Sequence, residues 1–182
     1  MKVRLDQFNN DWFHPGGKLK IVFWTLFSIV FIRTAFPWPM LLKKRLLQTF
    51  GCKVGKGFVI KPRVNIKYPW KLTIGNYVWL GEQVWIDNLG TVEIHNHVCI
   101  SQGAMLLTGN HDYRKSSFDL KVGEIILKSG VWIGAKSVVC PGVICEENSM
   151  LSVSSVATKD LIANKIYQGN PATLKKDRFN ES

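Results

Sequence analysis

His111 stands between Asn110 and Asp112 in the polar stretch TGNHDYRKSSFDLKVGE. An imidazole, with an ordinary pKa of about 6.5, is the natural proton acceptor at neutral pH. In a flexible polar context it could take the proton of an attacking hydroxyl. Taken alone, a histidine of this kind is more often a solvated surface residue. The other reactive side chains point elsewhere. Cys52, Cys99, Cys140 and Cys145 show no CxxC spacing and no dense framework, so a reducing compartment with buried free thiols is the simpler reading.

A loop residue can act only if a rigid frame holds it, and the frame is legible as a period of six. The register runs Val54, Ile60, Ile66; Ile74, Leu80, Ile86; Ile94, Ile100, Leu106; and Leu127, Ile133, Val139, Cys145, Leu151, Ala157. Thirteen of these fifteen positions are Leu, Ile or Val, whereas a helix would require a period near 3.6. Four residues after each stand small or β-branched groups, among them Val64, Val78, Ala104, Ser137 and Ser155. They suit a second, cramped inward position. Three hexapeptides close one triangular coil, and the pattern predicts a parallel β-helix from about Val54 to about Lys159. Two-residue slips fall near 72 and 92, and the repeat breaks from about 107 to 126, the one long loop and the one that holds His111.

With 46% hydrophobic and 20% charged residues in 182, the chain reads as one globular domain with attached ends. Lysine and arginine outnumber acids 24 to 13, a net charge of +11 that favours anionic partners. Residues 1–50 form an apolar and basic helical segment, 51–160 the β-helix, and 161–182 a C-terminal tail. The uncharged run IVFWTLFSIVFI, flanked by Lys20 and Arg33, is too short to cross a bilayer and lacks a cleavage signature. Two readings remain open. The run is either a cap over the open end of the coil, or an interfacial anchor with Trp12, Trp24, Trp38 and the basic run Lys43, Lys44, Arg45 at headgroup level.

The repeats, together with FGCKVGKGFVI, YPWKLTIG, WIDN, CISQGAMLLTGNHD, VWIG, PGV, ATKD and GNPA, resemble the hexapeptide-repeat acyltransferases. Within them, the chain resembles the O-acetyltransferases of colanic-acid and related exopolysaccharide biosynthesis. The resemblance implies a mainly β fold, a left-handed parallel β-helix, assembled as a homotrimer with active sites between subunits. It implies acetyl transfer from acetyl-CoA to a sugar or glycan hydroxyl, with His111 as general base and no metal. By the same resemblance Asp87 and Asn88 line the acceptor pocket, and Trp132, the backbone at Ala135, and Lys159 contact coenzyme A. An Asx-rich turn is an equally good reading of Asp87 and Asn88. Asp112 could orient the imidazole, although adjacent side chains often point apart. Gly81 replaces an asparagine of a related enzyme type, and the basic residue that follows GNPA in the family is shifted to Lys175, Lys176 and Arg178, for which a solvated helix face is the alternative. Trp79 and Trp85 fit a coil exterior, at a subunit interface or under a sugar ring.

Other classes compete. His95, His97 and His111 invite comparison with the three-histidine zinc site of γ-type carbonic anhydrases, but His95 and His97 are two apart where that type uses five. A non-enzymatic scaffold is compatible with the fold. No nucleic-acid-binding signature accompanies the positive charge. The expected location is the cytoplasm, peripheral at the inner face of the membrane if the N-terminal segment is an anchor.

Overall fold

The computed structural model describes residues 2–179. Three parallel sheets form the walls of a triangular prism. The first stacks Lys53–Val54, Leu72–Ile74, Val92–Ile94, Ile125–Leu127 and Ile144–Cys145. The second stacks Val59–Ile60, Trp79–Leu80, Cys99–Ile100, Trp132–Ile133, Met150–Leu151 and Lys165–Gly169. The third stacks Asn65–Ile66, Trp85–Asp87, Met105–Leu107, Val138–Val139 and Val156–Ala157.

The two inward positions of the repeat explain the stability of this wall. From Ile60 to Ala157, the aliphatic residues of the period-six register are all buried, and so is every member of the small or β-branched set. Each fully buried aliphatic side chain contributes about 1.5–3 kcal/mol. Corner turns join the rungs, and their second residue takes a left-handed backbone, with φ of 56° at Tyr77, 58° at Gln83 and 55° at Lys136. Coils are twenty residues long where Val54 faces Ile74 and eighteen where Leu127 faces Cys145. The extra pair is taken up in wider corners, one of them a short turn of 3-10 helix at Pro69–Lys71.

The long loop does not disturb this stacking. Ile94 still faces Leu127, Ile100 faces Ile133 and Leu106 faces Val139 across it. The loop is itself a hairpin in which Gly109–His111 pairs antiparallel with Leu120–Val122. The C-terminal tail also takes strand form: Lys165–Gly169 extends the second sheet and Ala172–Asp177 folds back against it, so Lys175 and Lys176 lie on a strand and not on a helix.

Two helices close the N-terminal end: α1, Lys18–Phe31, and α2, Met40–Thr49. Pro37 and Pro39 separate them, since proline denies the helix a donor and crowds the preceding turn. Trp24, Ile32 and Leu47 enter the core, and the Trp24 indole donates to the Ile66 carbonyl at 2.9 Å. Lys43 is buried and Lys44 Nζ donates to the Gly55 carbonyl at 2.6 Å, so of that basic run only Arg45 faces solvent.

Candidate active site

His111 sits on the first strand of the hairpin, half-buried. Its Nδ1 lies 2.8 Å from the Phe118 carbonyl oxygen, and its ring stacks on the Phe118 ring at 4.3 Å and 8°. A carbonyl only accepts, so this hydrogen bond requires the proton on Nδ1 and leaves the lone pair of the neutral ring on Nε2. In that tautomer Nε2 is the ring atom able to accept a proton. On the other side Phe8 approaches the imidazole to 5.6 Å, carried by an N-terminal arm whose Arg4 amide donates to the Ser116 carbonyl at 2.8 Å.

Asp112 does not orient this ring. Successive side chains of a strand point to opposite faces, and Asp112 turns inward to Arg114 Nε at 3.2 Å and Lys121 Nζ at 3.0 Å. Those two cations hold its carboxyl far below the usual carboxylate range. Its work is to tie the two hairpin strands together.

Asp87 and Asn88 separate in role. The Asn88 side chain is fully buried, its Oδ1 accepting from the Tyr68 amide at 2.9 Å and its Nδ2 donating to the Tyr68 carbonyl at 2.7 Å. That clamp joins one wide corner to the next, and full burial keeps the amide out of reach of an acceptor. The Asp87 carbonyl accepts from the Thr108 amide and hydroxyl, at 3.2 and 3.0 Å, and so seats the base of the hairpin. Its Oδ1 is buried and ion-paired with Lys67 Nζ at 2.8 Å. It faces a cavity under α1 shared with Trp24, Arg33, Tyr68 and Trp85.

Trp132 and Ala135 do come together, in a groove on the second sheet with Ser101, Gln102, Met150 and Val153. The Trp132 indole is pinned by donation to Ser101 Oγ at 2.9 Å. Lys159 is exposed beyond the third sheet and does not line this groove within one chain. Arg178 is half-buried, its Nη1 donating to the Gly130 and Asn148 carbonyls at 2.6 and 3.1 Å.

The remaining sequence candidates are structural. Burial pushes the thiols of Cys52 and Cys145 up to about 12, which suppresses nucleophilic thiolate. His97 stacks on Tyr77 at 5.1 Å, and among the described residues no three His, Cys, Asp or Glu side chains converge as a metal site. At Gly81, a Cβ would stand 2.6 Å from the Gln102 amide nitrogen, so the next coil seats directly on this backbone. Phe118, Thr108 and Phe8 carry no sequence signal, because two of their contacts are made to or by backbone.

No family model matches the chain. It is 36% identical over 170 residues, 91% of each chain, to the protein named colanic acid biosynthesis acetyltransferase WcaF of Escherichia coli (strain K12). It is 30% identical to the galactoside O-acetyltransferase of the same organism, over 75% of this chain and 70% of that one. Among solved structures, a hexapeptide-repeat acetyltransferase of Vibrio cholerae superposes with a TM-score of 0.80 at 18% identity, covering 90% of this chain and 93% of the other. A galactoside acetyltransferase in complex with coenzyme A gives 0.79 at 22% identity, covering 88% and 82%. At such identities the superpositions speak for the fold.

Proposed function

The chain belongs to the hexapeptide-repeat acetyltransferases, and from that premise we propose that it moves an acetyl group from acetyl-CoA to a sugar hydroxyl of an exopolysaccharide or related glycan intermediate. The observation that carries the assignment of the base is the 2.8 Å contact between His111 Nδ1 and the Phe118 carbonyl, which leaves Nε2 free to accept. Nε2 takes the hydroxyl proton as the sugar oxygen attacks the thioester carbon. The tetrahedral intermediate collapses with loss of the coenzyme A thiolate, and the imidazolium returns the proton to sulfur. General-base assistance of this kind is worth about 10²–10⁴-fold.

The Trp132 and Ala135 groove suits a long, partly apolar cofactor chain, with an exposed aromatic face pinned by its indole nitrogen. We assign acetyl-CoA to it, in a homotrimer whose neighbouring subunit brings Lys159 to the phosphates. That arrangement accounts for the separation of Lys159 from the groove in one chain. Asp87, which lines the cavity under α1, is the residue assigned to a sugar hydroxyl.

The test is thiol release from acetyl-CoA by wild type and His111→Ala across a panel of sugars and glycan fragments. Acceptor-dependent release that disappears in the variant is expected. Release that survives the substitution overturns the role of His111, and silence with every acceptor, with no coenzyme A binding by calorimetry, overturns the activity.

A further inference from the structure

Helix α1 is almost wholly apolar, yet only Trp24 and Ser28 of its fourteen residues are buried. Leu19, Val22, Phe23, Leu26, Ile29 and Val30 are each more than half exposed. The surface continues onto Phe36 and onto Met40 and Leu41 at the start of α2. A contiguous patch of this kind marks an interaction site.

Its charge setting identifies the partner. From Trp12 to Gly81 the chain contains no aspartate or glutamate and twelve lysines and arginines. The rest of the chain has twelve basic and thirteen acidic residues, so this segment carries the whole net charge of the protein. Lys18 and Lys20 are exposed at the start of α1, and Arg33 is exposed just past its end. The apolar strip is therefore flanked by cations at both ends. Apposing two copies through it would bring these like charges together, whereas an anionic bilayer offers acyl chains to the strip and phosphates to its ends.

We propose that the exposed face of α1 and the first turn of α2 dock on an anionic lipid surface. A fourteen-residue helix spans about 21 Å, less than the roughly 30 Å of a hydrocarbon core, so α1 lies in the interface plane. The buried flank at Trp24 holds the β-helix against it. This docking stands apart from acetyl transfer and is read without acetyl-CoA or acceptor.

The experiment is co-flotation of the full-length protein with vesicles of phosphatidylcholine alone and of phosphatidylcholine with phosphatidylglycerol. Flotation with the anionic vesicles only, reduced by salt, is expected. Leu26→Glu/Val30→Glu should lower partitioning by about tenfold or more, since it removes the apolar anchor and adds two anions. Arg33→Glu/Arg45→Glu, which leaves the apolar strip intact, should reduce anionic selectivity if the first variant fails to fold. Absence of flotation with anionic vesicles overturns the proposal, as does flotation that neither variant diminishes. A wild type that does not float, with a Leu26→Glu/Val30→Glu variant of smaller native mass by light scattering, assigns the face to a second copy instead.

Discussion

Phe118 holds the His111 imidazole twice, through its carbonyl at Nδ1 and through its ring stacked 4.3 Å away. The carbonyl belongs to the backbone and survives any side-chain change, so the two contacts are separable. His111→Ala is expected to lower kcat by about 10²–10⁴-fold. Phe118→Ala should cost on the order of tenfold, because the tautomer is kept and only the ring's seating is lost. Steady-state thiol release on one acceptor measures both.

Asp112 supplies a pH test of the hairpin. Its carboxyl is depressed by Arg114 and Lys121, so its stabilising contribution is fully present above the unfolded carboxylate value of about 3.9. It declines as the pH falls from there toward the folded value. Both cations are at least half exposed, so salt weakens the effect. Thermal unfolding of wild type should therefore fall more steeply below about pH 4 than that of Asp112→Asn. Equal slopes would show that the pairs contribute nothing.

Cofactor contacts should appear in KM. Trp132→Ala is predicted to raise KM for acetyl-CoA about tenfold with kcat little changed, the signature of binding shared by ground and transition states. Lys159→Ala should raise KM for acetyl-CoA but not for acetyl-pantetheine, which lacks the nucleotide phosphates. An equal effect on both donors would remove Lys159 from phosphate binding.

Gly81→Asn should damage the fold. The added Cβ meets backbone, not a flexible side chain, and the coils must part to admit it. A loss of about 2 kcal/mol or more is expected, seen as a fall in Tm of several degrees. An unchanged Tm would mean the coil spacing is softer than its stacking implies.

The wall of the prism was legible because burial writes itself into side-chain type. Ile86, Ile100 and Leu106 had to be apolar to sit inward, and their spacing of six and their slips of two survive in the sequence. The site was legible only in part. His111 announced itself by residue type, but its partner is a carbonyl, and every residue has one. Asn88 bonds the Tyr68 amide and carbonyl twenty positions away, a clamp between coils that its residue type alone does not announce. The C-terminal hairpin is not legible in the sequence, because GNPA marks a turn without naming the strands that it joins.

The rungs keep their pairing across the excursion from Thr108 to Gly123, whose ends meet where the Gly123 amide donates to the Thr108 carbonyl. An appendage anchored at one such staple can change length at little expense, about 0.6 kcal/mol for each doubling of a flexible loop. The hairpin that carries His111 can therefore vary in length while the pairing of Ile94 with Leu127 and of Leu106 with Val139 beneath it stays as it is.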